Sequence, residues 1–379
     1  MITFHITDFD GLDSGPGLIN SQGRTWTELR KTAVCSLHDN KNIEQIIQDQ
    51  VNLTIDTIDQ HFINASTTID NLPLTEPLVS CLWKIISQQD FLEKNQLKEL
   101  SKNVFEMAEE FVSPLVQVAQ HDRSLLFLTE SFGLTHQAEF LGQIHSKIKD
   151  LILMSNKKQE SKSEVSPLVK AFLHGKDVYH NETNVIWTFS DILLVGSYTL
   201  WVHLQWGLIC LIKYPNWQQT IRQEFGQETQ PLTEAFVSEV LRTFVVESKG
   251  LSYPMVTAND VQIEKHFLPK GTGIIHMLNE VMGDPKHFPN PRQFDPNRFV
   301  AYKNHDVPIN IFHPRLIPFG VGKRKCIGEN VAKLILKSFL SHLVAKYDIS
   351  SEKDINVTSF NDAAIAKPKP FNVILQPIY

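Results

Sequence analysis

One cysteine stands in a setting that could support chemistry. Cys326 lies in the segment PFGVGKRKCIGENVA (318–332), between glycines and beside Arg324, just before an apolar helical run. Unpaired N–H groups, the positive end of a helix dipole and nearby cations all favour the thiolate form. A thiolate can coordinate a metal or act as a nucleophile, whereas a buried and inert cysteine is the alternative.

Two other functions for this loop fail on its spacing. A phosphate-binding loop needs glycine five residues before the Gly-Lys pair and Ser or Thr after it, and those positions hold Ile317 and Arg324. A cysteine protease would need a local signature that is absent here. Nothing in the sequence nominates one of the fifteen histidines as its base.

The spacing F-x-x-G-x-R-x-C-x-G resembles the haem-binding loop of the cytochrome P-450 superfamily, the haem-thiolate monooxygenases. The residues are Phe319, Gly322, Arg324, Cys326 and Gly328. Further motifs follow the order of that family. They are Trp26-x-x-x-Arg30, Val195-Gly196-Ser197-Tyr198-Thr199, Glu239-x-x-Arg242, and Arg298 in FDPNRF. The resemblance covers essentially the whole chain and is strongest to the microsomal family-2 branch.

The resemblance implies one domain over 1–379, mainly α-helical with small β-sheets, and haem b (iron protoporphyrin IX) as the cofactor. Cys326 would be the axial ligand of the haem iron. Arg324 and Arg30, with Trp26, would hold the haem propionates. Phe319 would pack on the proximal face, where Gly322 permits the turn and Gly328 a close approach.

The resemblance also assigns roles away from the loop. Thr199 would assist proton delivery in the distal pocket, together with Gly196 and the residue before the threonine. Its alternative is a helical threonine bonded to the carbonyl one turn back. Glu239, Arg242 and Arg298 would form a structural triad beside the cysteine loop.

Two positions depart from the family pattern. Tyr198 replaces the usual acid before Thr199. Compared with a carboxylic acid, a phenol is a poor proton relay at neutral pH. Met255 stands where family-2 relatives carry a propionate-binding His or Arg. We therefore expect altered proton delivery and one haem anchor fewer.

Composition limits the partners. The net charge is −6 with an ordinary charged fraction, which excludes a general nucleic-acid binder. Four scattered cysteines without a CxxC pair argue against a zinc site or disulfide framework. One group of cations would form a local basic face that binds an NADPH flavoprotein reductase and cytochrome b5. The alternative is that these side chains are ordinary solvated surface cations. They are Arg24, Lys31, Lys323, Lys325, Lys333 and Lys337.

Periodicity predicts helices first and mixed structure later. The helices cover 26–38, 42–63, 74–90, 94–114, 122–132, 135–154, 184–213, 231–244 and 327–346. A polar surface loop is expected at 156–166, between the sixth and seventh of these helices. A hairpin is expected over 256–274, Pro-rich coil over 285–318, and a β-like C-terminal tail.

The start of the chain shapes the expected location. It begins where the family already has its third main helix, and no anchor is recognisable, so we expect an N-terminally incomplete domain. The family-2 branch implies the cytoplasmic face of the endoplasmic reticulum membrane, and the missing anchor implies a soluble cytoplasmic protein instead.

The leading hypothesis is a monooxygenase that inserts one oxygen atom from O₂ into an apolar substrate such as a lipid, a steroid or a foreign compound. A peroxide-rearranging isomerase or dehydratase would need the thiolate-bound haem but not the acid–threonine pair. A truncated, non-catalytic remnant is the third hypothesis. The intact cysteine loop and Glu–Arg–Arg residues count against that hypothesis.

Overall fold

The computed structural model describes residues 16–91, 94–113, 136–158, 166–174, 177–245, 255–274, 276–300, 313–355 and 365–378. The predicted helix over 122–132 and residues 159–165 of the predicted polar loop lie outside these ranges. Within them the chain is mainly helical with small sheets, which confirms the predicted fold class.

The helices follow the predicted periodicity closely. In chain order they are α1 (Gly17–Asn20), α2 (Gly23–His38), α3 (Ile43–His61), α4 (Thr75–Ser87), α5 (Lys94–Val112), α6 (Gln137–Lys158), α7 (Pro167–His174), α8 (Glu182–Lys213), α9 (Asn216–Glu224), α10 (Pro231–Thr243), α11 (Leu278–Met282) and α12 (Glu329–Lys346). Short helices α7 and α9 were not predicted, because each spans too few turns for a clear apolar period.

Residues at both ends of the polar segment 156–166 lie within the described part of the chain. Helix α6 continues through Lys158, so the first residues of the predicted loop are helical. Ser166 at the other end is buried, and its Oγ accepts a hydrogen bond from the backbone N–H of Val169 in the first turn of α7.

Helix α8 forms the centre of the molecule. Asn181 caps its start by accepting a hydrogen bond from the Asn184 N–H at 2.8 Å, and Pro215 follows its end. In the described part of the chain it is the one helix long and apolar enough to span a membrane, yet 67% of its most apolar window is buried inside the protein. Its burial identifies it as a core helix of this fold.

Short antiparallel strands complete the fold. Strands β1 (Thr67–Thr68), β7 (Asn372–Pro377) and β6 (Tyr347–Ser350) form one sheet in that order. Strand β2 (Met255–Val256) pairs with β5 (Gly273–Ile274), and β3 (Val261–Ile263) pairs with β4 (His266–Leu268). The β3–β4 pair is the hairpin expected within 256–274, and β7 is the expected C-terminal strand.

Most of the helices share one large apolar core. Helix α8 packs against α4, α5, α10 and α12. A smaller cluster, built around Phe288 and Phe299, lies beside α10. The long helix and the cysteine loop before α12 are thereby fixed to the same core.

Candidate functional site

The cysteine loop is a tight, exposed turn in front of α12. Gly320 and Gly322 have φ angles of +72° and +75°, which a side chain would strain. The backbone N–H of Cys326 donates to the Phe319 carbonyl at 3.0 Å, and Gly328 is the N-cap of the helix. Cys326 therefore lies two residues before the N-cap, with its side chain exposed.

The other cysteines have different surroundings. Cys81 and Cys210 are buried, and burial raises the pKa of both thiols. Cys35 is half-buried. Since a thiolate ligand must be both accessible and ionisable, Cys326 is the cysteine suited to that role.

Two guanidinium groups enclose Trp26 beside this loop. Arg30 lies 5.4 Å and Arg324 4.4 Å from the centroid of the indole ring. Arg30 Nη2 donates to the Lys325 carbonyl at 2.5 Å. We call Arg30 and Arg324 the open arginine pair, because in the described part of the chain neither guanidinium pairs with a carboxylate.

The electrostatics of the open arginine pair favour an anion. Burial lowers the pKa of Arg324, and the neighbouring charge of Arg30 lowers it further. Burial also lowers the pKa of Arg30, while the Cys326 sulfur opposes that shift. A ligand carrying carboxylates would relieve the repulsion between these two cations, because guanidinium forks match carboxylate geometry.

Segment 17–21 connects the cysteine loop to the long helix. Arg324 donates to the Leu18 carbonyl at 3.2 Å and to the Ser21 carbonyl at 2.6 Å. On its other side, Asp191 of α8 accepts hydrogen bonds from the backbone N–H groups of Leu18 (2.6 Å) and Ile19 (2.9 Å). Burial raises the pKa of Asp191 to about 7.

Asp191 was not among the predicted site residues. The available signal was a single acid within an otherwise apolar helix, which requires a specific partner when it is buried. Gly17 also belongs to this contact, because a Cβ there would lie 2.6 Å from Asp191 Oδ2 and the residue has a φ of +79°. Neither the partner segment nor this close approach is visible in the sequence.

Thr199 lies on a partly open strip of α8. Ile192, Val195, Gly196 and Thr199 are half-buried and share one helix face by their spacing, whereas most of their neighbours are buried. The Thr199 hydroxyl donates to the Val195 carbonyl at 2.8 Å. A Cβ on Gly196 would lie 2.7 Å from Leu82, so the glycine lets α4 pack closely.

Tyr198 points to a different face from Thr199. Its ring lies 6.2 Å from Phe105 of α5 and 5.6 Å from Trp201, between ring centroids. Burial, followed by the charge of Glu109, raises the pKa of this phenol above its usual range. The structure therefore does not pair the Tyr198 and Thr199 hydroxyls.

The structure brings Glu239, Arg242 and Arg298 together. Arg242 makes a bidentate contact with the buried Glu239 carboxylate, at 2.7 and 2.8 Å. Arg298 Nε donates to the same carboxylate at 3.0 Å, and the backbone N–H of Asp295 donates at 2.9 Å. The remaining guanidinium donors bind the carbonyls of Met282, Pro289, Pro291 and Gln293. We call this group the closed arginine pair, since one carboxylate serves both cations.

The predicted cationic residues differ in how they are neutralised. Lys325 and Lys333 both pair with Glu329, at 2.5 and 2.7 Å. Lys337 pairs with Glu234 at 3.1 Å, and Arg24 stacks on Tyr179. Lys31 and Lys323 are exposed. The surface is therefore less positive than its sequence predicts.

Met255 lies in strand β2 opposite Ile274. Its side chain is outside the described part of the structure, so the expected loss of a haem anchor stays a prediction.

The residues around Cys326 fit a thiolate-bound, carboxylate-bearing cofactor such as haem. The thiol is exposed, and next to it lie two guanidinium groups that pair with no carboxylate among the described residues. Five N–H donors on each guanidinium leave groups for a ligand beyond those that bind carbonyls. A metal cofactor that carries carboxylates would satisfy both features, since the Cys326 thiolate would bind its metal and the two guanidinium groups its carboxylates.

Known proteins of one family resemble this chain along most of its length. A family model described as Cytochrome P450 matches residues 1–375. Cytochrome P450 2C3 of Oryctolagus cuniculus is 26% identical over 401 residues, covering 98% of this chain and 79% of the relative. Cytochrome P450 2C8 of Homo sapiens is 24% identical, with coverages of 97% and 79%. Cytochrome P450 2H1 of Gallus gallus is 23% identical, with coverages of 97% and 78%. The predicted resemblance is confirmed.

Proposed function

Because this chain belongs to the cytochrome P450 family, we propose that Cys326 is the axial thiolate ligand of its haem iron. Family membership makes the protein a haem-thiolate monooxygenase with haem b as its prosthetic group. When bound through a thiolate, haem supplies the cleavage of dioxygen and the transfer of one oxygen atom to a substrate. The exposed Cys326 beside the open arginine pair carries the assignment.

The open arginine pair would hold the haem carboxylates. Arg324 and Arg30 are already oriented by backbone carbonyls and by the face of Trp26, so little side-chain entropy is lost on binding. Phe319 is half-buried next to the loop, where it can cover the sulfur side of the ring. Gly322 and Gly328 keep the turn narrow.

Thr199 would hold a proton at its Oγ1 atom on the distal side. Its hydroxyl now donates to the Val195 carbonyl, so a rotation about χ1 would release it toward the open strip of α8. Gly196, on the same strip, lets Leu82 of α4 approach the helix closely beside the threonine. Glu239, Arg242 and Arg298 would hold the segment before the cysteine loop and take no part in the chemistry.

The substrate and partners are inferred more coarsely. The strip of α8 around Ile192 and Val195 is apolar, which supports an apolar small-molecule substrate. Lys31 and Lys323 are exposed cations on the side of the cysteine loop, suited to an acidic electron donor such as an NADPH flavoprotein reductase, with cytochrome b5 as a second donor. Family-2 relatives support a location at the endoplasmic reticulum membrane.

A carbon monoxide difference spectrum tests the thiolate assignment. We expect the reduced, haem-loaded protein to show the red-shifted Soret band of a thiolate ligand. Cys326→Ser should abolish that band, and the matched variant Cys35→Ser should keep it. Haem bound without the band would contradict the assignment, and a folded protein that binds no haem would favour a non-catalytic remnant.

A further inference from the structure

Helix α1 is a single turn held between two charged side chains from distant parts of the chain. On one side, Asp191 Oδ2 of α8 accepts hydrogen bonds from the N–H groups of Leu18 and Ile19. On the other side, Arg324 of the cysteine loop donates to the carbonyls of Leu18 and Ser21. A single turn is too short to pair these backbone groups within itself. Its position therefore depends on both partners.

The contact with α8 is a close one. Asp191 is 6% exposed, and a carboxylate buried to that extent needs hydrogen-bond donors. A Cβ on Gly17 would lie 2.6 Å from Asp191 Oδ2 and 2.8 Å from the Cβ of Trp187. The backbone of α1 thus lies directly on α8, and Asp191 fixes its place there.

The same turn sets the orientation of Arg324. Its Nη1 donates to the Leu18 carbonyl at 3.2 Å and its Nη2 to the Ser21 carbonyl at 2.6 Å. The guanidinium also lies over the ring of Trp26, but a ring face offers no directed acceptor. The two carbonyls therefore determine how the guanidinium fork is turned. Because a carboxylate binds that fork in a fixed geometry, a shift of α1 would misdirect the remaining donors.

A second buried carboxylate makes a similar contact without this link. Glu224 of α9 is 7% exposed and accepts from the N–H groups of Leu232 and Thr233, at 2.9 and 2.8 Å. Those groups belong to the first turn of α10, a helix of 13 residues. In the described part of the chain, neither arginine of the open arginine pair bonds to that helix. Glu224 is therefore a matched reference for Asp191.

We propose that Asp191 is a positioning residue for the haem, because it fixes the turn that orients Arg324 toward a haem carboxylate. The inference rests on the proposed function, since haem is the group that Arg324 would anchor. Asp191 acts through the backbone of α1 and takes no part in the chemistry. The arrangement joins α8, which carries Thr199, to the cysteine loop on the other side of the haem.

Haem titration of the full chain tests the path from Asp191 to Arg324. Asp191→Ala should weaken haem binding by about fivefold to tenfold, but should add less than about twofold in a chain that already carries Arg324→Gln. Asp191→Asn should stay within about twofold of the wild type, because its amide oxygen can accept from the same two N–H groups. Wild-type affinity in Asp191→Ala, or an undiminished further loss in the double variant, would overturn the proposal.

Glu224→Ala is the control for a general loss of stability. It removes a comparable buried carboxylate, and it should leave the haem affinity of the folded protein within about twofold of the wild type. If Glu224→Ala weakened haem binding as much as Asp191→Ala, the effect would come from destabilisation of the fold, and the proposal would be wrong.

Two glycines disturb the turn while Asp191 stays in place, which keeps the proposal testable if Asp191→Ala does not fold. Gly17→Ala would press its Cβ against Asp191 Oδ2, at a φ of +79°. Gly23→Ala meets nothing within 4 Å at a φ of +56°, so it adds backbone strain without the clash. Gly17→Ala should weaken haem binding by about fivefold or more, and Gly23→Ala by less than about twofold. Equal weakening by both would overturn the proposal.

Hydrogen exchange tests the link in the full chain without haem. The amides of Leu18 and Ile19 donate to Asp191, and mass spectrometry of peptides that contain them reports that contact. Arg324→Gln removes only the opposite contact, yet it should speed their exchange by about threefold or more, whereas Glu224→Ala should leave it unchanged. Unchanged exchange in Arg324→Gln would overturn the proposal even in a working monooxygenase. Faster exchange in a protein that lacks the thiolate Soret band would support the link and count against the proposed function alone.

Discussion

Two pairs of arginines in this molecule differ in whether a carboxylate of the protein neutralises them. In the closed arginine pair, Arg242 and Arg298 share the buried Glu239 carboxylate, and backbone carbonyls take their other donors. In the open arginine pair, Arg30 and Arg324 bind backbone carbonyls and a tryptophan face, with no carboxylate among the described residues. A closed charge cluster stabilises a fold, whereas an open one is prepared for a ligand.

The comparison predicts that the largest loss of stability follows from breaking the closed pair. Glu239→Gln would leave two buried guanidinium groups without their anion, and we expect it to lower the free energy of unfolding by about 3–5 kcal/mol. Chemical denaturation of the apoprotein measures this loss. Glu234→Gln, at an acid whose side chain is 45% exposed, is the control and should change stability by less than about 1 kcal/mol. Equal losses in both variants would contradict the distinction.

A pH-dependent effect is expected next to the open pair, at Asp191. Its pKa is about 7 in the fold and near 4 in the unfolded chain, so the folded state holds the proton more tightly. The stability that this group contributes is therefore complete below pH 4 and is lost as the pH rises through 7. The loss is at most about 4 kcal/mol.

Asp191→Asn isolates this contribution. The amide oxygen can still accept from the Leu18 and Ile19 N–H groups, but the residue no longer titrates. Urea unfolding between pH 5 and 8 should show that the wild type loses stability relative to Asp191→Asn as the pH rises. A constant difference between the two proteins would mean that Asp191 is not the titrating group.

The smallest effect is expected on the protein surface, where pairing again matters. Lys323 is exposed, whereas Lys325 is neutralised by Glu329. Lys323→Gln should therefore weaken the association of the flavoprotein reductase by about twofold to fivefold at low salt, and Lys325→Gln by less. Titration of the reductase at two ionic strengths measures both. If Lys325→Gln had the larger effect, Glu329 would not be shielding Lys325.

The sequence revealed members of both arginine pairs through the motifs of the family resemblance. For Glu239 and Arg242 the i, i+3 spacing on one helix also brings the two side chains within reach of each other. Arg298 lies far from Glu239 in the chain and was found only through the family resemblance. Helices of several turns, such as α8, were predictable because their apolar period repeats often enough to be clear.

Residues that act through tertiary contacts escaped prediction. Asp191 acquires its role from a segment that is distant in the chain, and no local spacing signals that partner. Tyr198 shows the same limit. The sequence identified it as a departure from the family pattern, but only the packing of α5 against α8 showed that its ring lies against Phe105 and Trp201 and away from Thr199.

Haem titration of the apoprotein tests the central claim most directly, because it asks whether the open arginine pair binds the cofactor. We predict that Arg324→Gln weakens haem binding by about tenfold or more while the midpoint of unfolding of the apoprotein stays close to that of the wild type. The wild type should bind one haem per chain. An Arg324→Gln protein that binds haem as tightly as the wild type, or that loses haem only because it unfolds, would contradict the claim.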